Sequence, residues 1–141
     1  MGLFAALILA GCASVGGPPA SRWQALADQA ATALHVGPVY VDERPYSTKG
    51  AYRCREMRLE LGTKRGDPRY LLAHELAHHV RRDCGESLAT EMEANALAVT
   101  ILQVWGATPD QAARTVAAAL YWNRRTINSV HDYCAELRDL L

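Results

Sequence analysis

The chain has 141 residues, of which half are hydrophobic, and its 15 basic and 15 acidic side chains give a formal net charge of zero. This length is typical of a single domain, and the composition is typical of a water-soluble one. Binding to nucleic acid usually requires a basic surface, and the balanced charge gives no sign of one. We therefore expect one folded domain without a nucleic-acid partner.

The first twenty residues differ in composition from the rest of the chain. Residues 3–10 form an apolar run that is too short to span a bilayer as a helix. The run ends in Leu9-Ala10-Gly11-Cys12, and a Gly- and Pro-rich stretch follows. This pattern resembles a bacterial lipoprotein signal. The resemblance implies a signal peptide over 1–11, a lipid on Cys12, a flexible tether over 12–20 and anchoring to a membrane of the bacterial cell envelope. No Lys or Arg precedes the apolar run, so a cytoplasmic chain with an unprocessed terminus is the alternative.

The next segments predict one helix and a small sheet. Apolar residues recur at helical spacing over 21–34, and Ser21 is a suitable cap for the start of that helix. A β-branched and aromatic run near 38–42 and an alternating stretch over 51–61 predict two strands of a short antiparallel sheet.

The rest of the chain is dominated by helical patterns. Asp67 and Pro68 are typical of a helix start, and this helix should continue to about Arg82. A second helix is predicted over 86–105, a third from a capping box at Thr108 to about 122, and a last one over 127–141. The fold class is therefore α+β over residues 21–141, a short antiparallel sheet followed by a helical majority.

The first of these helices carries the run His74-Glu75-Leu76-Ala77-His78, an H-E-x-x-H motif. Histidines four residues apart project from the same helix face and can bind one metal ion. Glu75 stands between them, where its carboxylate can take a proton from a water bound to that metal. The motif predicts His74 and His78 as metal ligands and Glu75 as a general base.

A catalytic metal site of this kind needs a third protein ligand. The following helix offers Glu91 and Glu93, which point in different directions because they are two residues apart. Glu91 has Asn95 one turn further on, where the amide can orient a ligand side chain. Glu93 has the apolar Leu97 in the corresponding place. We therefore predict Glu91 as the third ligand, with Glu93 as the alternative.

The two motif helices together resemble those of the ImmA/IrrE-type metallopeptidases, in which an H-E-x-x-H helix precedes an E-x-E-A-N-x-F-A helix. The similar segment here is Glu91-Met92-Glu93-Ala94-Asn95-Ala96-Leu97-Ala98, with Leu97 where the family often has Phe. The resemblance covers residues 59–102 and implies a small zincin-like domain that binds one Zn²⁺ per chain and cleaves a protein or peptide substrate. It also implies that Asn95 orients a ligand and that an edge of the sheet, for which we choose strand 51–61, holds extended peptide.

Other side chains are candidates for supporting roles. A zincin also needs a group that stabilises the oxyanion of the reaction, and His131, Tyr133 and Tyr121 are candidates by position. His79 follows His78 and faces about 100° away, so we predict a surface or orienting histidine and not a ligand. The remaining cysteines could form one disulfide or stay free, and the sequence does not choose among Cys54, Cys84 and Cys134.

Three hypotheses follow from the sequence. The first is a membrane-tethered zinc metallopeptidase, or a cytoplasmic regulator-cleaving one if the N-terminal signal is not real. The second is a catalytically silent, zinc-stabilised binding module, against which the presence of Glu75 argues. The third is a helical lipoprotein without zinc, in which the motif arose by chance.

Overall fold

The computed structural model describes residues 20–64, 67–123 and 131–140. Within these ranges the chain forms a small sheet followed mostly by helices, which confirms the predicted α+β class. The elements in chain order are α1 (Arg22–Ala33), β1 (Tyr40–Arg44), β2 (Gly50–Arg53), a 3-10 turn (Cys54–Glu56), β3 (Arg58–Gly62), α2 (Arg69–Arg81), α3 (Leu88–Val104), α4 (Pro109–Asn123) and α5 (Tyr133–Leu140). The predicted signal peptide over 1–11, Cys12 and the tether as far as residue 19 lie outside the described residues, as does the predicted start of the last helix at 127.

The sheet has the order β1-β3-β2, with β3 in the middle. β3 pairs antiparallel with β2 but parallel with β1, so the prediction of an antiparallel sheet is wrong for one of its two pairings. The single strand predicted over 51–61 is also wrong, because the 3-10 turn and the left-handed Met57, with φ of 48°, reverse the chain between β2 and β3. The alternation of polar and apolar residues breaks within that turn, where Arg55 and Glu56 are both polar, and this break is the local sign of the reversal.

The hydrophobic core lies between the sheet and the helices, with α2 at its centre. The inward-facing Leu59 and Leu61 of β3 pack in the same buried cluster as Leu72 and Leu76 of α2. The other side of α2 packs against α3, which contributes Ile101 to the cluster. All eight residues over 72–79 are buried, including three histidines and one glutamate. Ionisable side chains are rarely buried without partners, so this helix is the place to look for a site.

Local signals explain where the motif helices begin and end. Ser87 and Thr90 form a reciprocal capping box at the start of α3, two residues later than predicted. Arg82 closes α2 in a left-handed conformation, with φ of 57°, and its N–H bonds to the carbonyls of His78 and His79. The capping box predicted at Thr108 is confirmed, because Thr108 and Gln111 exchange backbone-to-side-chain hydrogen bonds of 3.0 and 3.2 Å.

A disulfide joins Cys54 in the 3-10 turn to Cys84 in the segment between α2 and α3. The two Cα atoms are 5.2 Å apart, within the usual range for disulfides. Cys134 on α5 is exposed and free. The bridge therefore ties the β2–β3 connection to the segment that follows the H-E-x-x-H helix. Among the described residues, no helix combines the length and the apolar character needed to cross a membrane.

Candidate metal centre

The two motif histidines meet on one face of α2, as their spacing predicts. The Nε2 atoms of His74 and His78 are 3.2 Å apart, and the two rings lie edge to face with their centroids separated by 4.8 Å. Both side chains are buried. The spacing of one helical turn thus places the two imidazole Nε2 atoms next to each other.

Helix α3 brings the carboxylate of Glu91 to the same point. Its Oε2 lies 3.0 Å from Nε2 of His74, and its Oε1 lies 3.5 Å from Nε2 of His78. Ligand atoms of these three residues lie within 4.8 Å of one another, so the group could hold a metal ion. Glu93, the alternative ligand, is exposed, lies outside this group and pairs with Arg81, because residues two apart on α3 face different directions.

A chain of hydrogen bonds fixes which nitrogen of His74 faces the group. Nδ2 of Asn95 donates to the carboxylate of Glu136 over 2.8 Å, so Oδ1 of the same amide must face the other way. That Oδ1 accepts from the hydroxyl of Tyr70 and from Nδ1 of His74, each over 3.0 Å. Because Nδ1 of His74 carries the proton, its Nε2 presents a lone pair to His78 and Glu91.

Asp83 plays the same part for His78. Nδ1 of His78 donates to Oδ2 of Asp83 over 3.1 Å, and Nε of Arg81 donates to the same oxygen over 3.0 Å. Nε2 of His78 is therefore the nitrogen that faces Glu91. Asp83 was not predicted from the sequence. It lies just beyond the end of α2, where the turn of the chain and not the helical period decides its direction.

The electrostatics of the group favour a positive charge at its centre. Burial alone would favour a neutral His78, but hydrogen bonds and attraction to Glu91, together with Asp83, outweigh it and raise the pKa of His78 to about 9. Burial likewise opposes the ionisation of Glu91, yet the two histidines beside it, His74 and His78, hold the pKa of that carboxyl well below its usual range. Three acceptors that converge at about 3 Å repel one another unless a proton or a metal ion lies among them.

Glu75 lies beside the metal group and against the edge strand. Its side chain is only 7% exposed, and burial raises its pKa even though His74 and His78 act in the opposite direction. A Cβ atom on Gly50 of β2 would lie 2.7 Å from Oε1 of Glu75, so only glycine lets the strand approach this closely. A carboxyl group with a raised pKa beside a metal position is suited to accept and return a proton.

A cleft opens over the metal group, between β2 and the segment that follows α2. Gly50, Ala51 and Tyr52 of β2 form one side of it. Of the segment 51–61, chosen as the peptide-binding strand, the part at the cleft belongs to β2, which is at an edge of the sheet. The other lining residues are His74, Glu75, His78, Asp83, Gly85, Glu86, Glu91 and His131.

Of the three candidate oxyanion stabilisers, the structure brings His131 to this cleft. Its Nδ1 is 3.2 Å from Oε1 of Glu136 and 3.7 Å from Oε2 of Glu91. The hydrogen bond to Glu136 raises the pKa of His131, although burial opposes that shift. Tyr133 stacks on the ring of His131 at 4.6 Å, whereas Tyr121 is exposed on α4 and does not line the cleft.

His79 is buried and lies outside the group of His74, His78 and Glu91, so the prediction of a surface position is wrong. Its Nε2 donates to the carbonyl of Gly37 over 2.8 Å, and its Nδ1 accepts from the hydroxyl of Tyr52 over 3.2 Å. His79 thereby ties α2 to the strand that forms one side of the cleft.

Glu136, like Asp83, is a residue of the site that sequence reasoning missed. It is buried on α5, with both carboxylate oxygens hydrogen-bonded, one to Asn95 and one to His131. A signal was present in the sequence, because Glu136 falls among Tyr133, Leu137 and Leu140 on the apolar face of the last helix. A charged residue on such a face usually has a buried partner.

Comparison of the chain with protein-family models, with curated proteins and with solved structures finds no match. The likeness of the two motif helices to the ImmA/IrrE-type metallopeptidases is therefore an expectation from the sequence motif.

Proposed function

We propose that this chain is a zinc-dependent metallopeptidase. One observation carries the proposal, namely that Nε2 of His74, Nε2 of His78 and the carboxylate of Glu91 converge as three acceptors, with Glu75 beside them at the base of a cleft. A purely structural metal site has no use for a buried carboxyl group next to the metal position.

The donor set supports zinc as the metal. Two imidazole nitrogens and one carboxylate are the ligands of many catalytic zinc sites, which keep a fourth position for water. Asn95 and Asp83 hold the outer nitrogens of the two histidines, as partners of zinc-binding histidines commonly do. When bound there, zinc would supply a Lewis acid and a water of lowered pKa.

The residues around the metal position suit peptide hydrolysis. Glu75 would take a proton from the attacking water and return it to the departing amine. His131, at the cleft wall, would donate a hydrogen bond to the oxyanion that forms on the substrate carbonyl. β2 would hold the peptide in an extended conformation through the backbone groups at its free edge.

Metal analysis tests the first half of the proposal. The purified protein should hold close to one zinc per chain, and His74→Ala, His78→Ala and Glu91→Ala should each lose most of it. Glu93→Ala is the matched control, because it removes an exposed carboxylate of the same helix and should leave the zinc content unchanged. Full zinc retention by both histidine variants would refute the metal site.

Activity of a base-deficient variant tests the second half. Glu75→Gln keeps the size of the side chain, so it should retain zinc and fold but lose peptide hydrolysis by orders of magnitude. The assay is cleavage of a mixed library of unmodified peptides, followed by mass spectrometry. The contrary outcome is a wild-type protein that holds zinc but cleaves no more peptides of the library than Glu75→Gln does. The protein would then be a zinc-stabilised binding module.

We further propose that the protein is a lipoprotein, tethered to a membrane through Cys12. The proposal is supported by the small residues before Cys12 and the Gly- and Pro-rich stretch behind it. Cys12→Ser should accumulate as a precursor without lipid. An unmodified Met1 terminus in the soluble fraction would contradict this proposal, and would make a cytoplasmic regulator the favoured substrate.

A further inference from the structure

The buried carboxylate of Glu136 has no part in the reaction proposed above. Glu136 is 1% exposed, and both of its oxygens are used: Oε2 accepts from Nδ2 of Asn95 over 2.8 Å and Oε1 accepts from Nδ1 of His131 over 3.2 Å. Burying a carboxylate is unfavourable unless its partners compensate. Of the two partners of Glu136, Asn95 lies behind His74 and His131 lies at the cleft wall.

The first contact determines how Asn95 is oriented. An ionised carboxylate only accepts hydrogen bonds, so the amide must turn its NH₂ toward Glu136 and its oxygen toward His74 and Tyr70. Without that carboxylate the amide could turn over and present its NH₂ to Nδ1 of His74. The proton of His74 would then sit on Nε2, in the place that a metal ion needs.

The second contact holds His131. Oε1 of Glu136 binds its Nδ1, and Tyr133, three residues before Glu136 on α5, stacks on the face of its ring. The ring is thereby kept 3.7 Å from the carboxylate of Glu91. One carboxylate of the last helix thus contacts both the amide behind His74 and the histidine at the cleft.

We infer that Glu136 is a positioning residue, which sets the metal-binding tautomer of His74 through Asn95 and holds His131 at the cleft. Helix α5 is then part of the metal centre although it supplies no ligand. The metal-binding half of this inference requires only the metal site, and the half that concerns His131 rests on the proposed function.

Cobalt affinity tests the metal-binding half without any substrate. Co²⁺ is added to the metal-free full chain in competition with a chelator, and its visible absorption reports the geometry of the site. Glu136→Gln should bind Co²⁺ about 10- to 100-fold more weakly, the usual effect of removing a partner of a ligand, with an altered spectrum. Asp139→Asn, at an exposed position of the same helix, is the control and should match the wild type.

A double variant separates positioning from general destabilisation. If Glu136 acts through Asn95, then Glu136→Gln should weaken Co²⁺ binding little further once Asn95→Ala is present. If the losses of Co²⁺ affinity in the two single variants simply add in the double variant, the inference is overturned. It is also overturned if a folded Glu136→Gln variant has the Co²⁺ affinity and spectrum of the wild type. Should that variant fail to fold, Glu136→Asp keeps the charge but shortens the reach, and it must show the same loss.

The readouts also distinguish this inference from the proposed function. A wild-type chain that binds neither Co²⁺ nor Zn²⁺ would refute the metal site itself. If the wild-type chain and Glu136→Gln bind metal equally well, the metal site stands and only the role of Glu136 is refuted. For His131, Glu136→Gln should lower kcat more than it raises KM, and equal changes in both would refute that half.

Discussion

Protons and metal ions should compete for His78. The pKa of His78 is raised to about 9 in the metal-free protein, because its bonds to Glu91 and Asp83 outweigh the effect of burial. A metal ion that binds at pH 7, about two units below this pKa, must displace the proton of His78. Removing that proton requires about 2.7 kcal/mol, at about 1.36 kcal/mol per unit. Apparent metal affinity at pH 7 should therefore be about 100-fold weaker than its limit above pH 9.

The assay is a chelator competition from pH 6 to pH 8 at fixed ionic strength. Affinity should rise by about one log unit per pH unit, and a weakly buffered dye should detect about one proton released per metal ion bound. A pH-independent affinity with no proton release would refute the reasoning. Asp83→Asn is the comparison variant, since the loss of one charged partner should lower the pKa of His78 and flatten the slope at the upper end of the range.

The same shift implies a pH dependence of the metal-free fold, whose sign follows from linkage. The pKa of His78 is higher in the folded state than its ordinary value of 6.5. Its contribution, about 3 kcal/mol at about 1.36 kcal/mol per unit, is complete below pH 6.5 and is lost as pH rises through 9. The lowered pKa of Glu91 reflects the same pairing with His78, so the contributions of the two pKa shifts to stability are not added. Urea unfolding of the metal-free protein at pH 6.5 and pH 9.5 should show this loss.

Three further changes should have measurable effects. Gly50→Ala places a Cβ within 3 Å of Glu75, the proposed general base, so hydrolysis should fall at least 10-fold and urea unfolding should show a loss of about 1–3 kcal/mol. Reducing the Cys54–Cys84 bridge, which closes 30 residues of chain, should cost about 3–4 kcal/mol, measured by urea unfolding with and without reductant. His79→Leu leaves two polar groups without their buried partner, including the Tyr52 hydroxyl, and should lower stability by about 1–3 kcal/mol without changing metal content.

The features that could be predicted from the sequence are those that local geometry decides. The spacing of His74 and His78 places both rings on one helix face whatever the rest of the fold does. Glu91 was preferred over Glu93 because Asn95 lies one turn further on, and that amide does bond to His74. Capping residues likewise indicate the starts of α1, α2 and α4 to within about two residues, the usual uncertainty of such boundaries.

The features that were missed depend on contacts between distant parts of the chain. β3 inserts between β1 and β2, and no local pattern in β1 indicates that its neighbour runs parallel. Asp83 reaches His78 because Arg82 adopts a left-handed conformation that turns the chain back. Glu136 bonds to Asn95 across 41 residues of sequence, and this contact depends on the packing of α5 against α3.

The disulfide is relevant to the cellular compartment in which the protein is found. Disulfides persist in oxidising compartments and are rare in the cytoplasm, so the pairing of Cys54 with Cys84 supports the proposal of an exported lipoprotein over the cytoplasmic alternative. The chain has four cysteines, and thiol labelling of the denatured, unreduced protein from its native cells can count the free ones. A lipidated Cys12 and an intact bridge leave one free thiol, on Cys134. Two thiols would indicate a bridge without the lipid, and four would place the protein in a reducing compartment and contradict export.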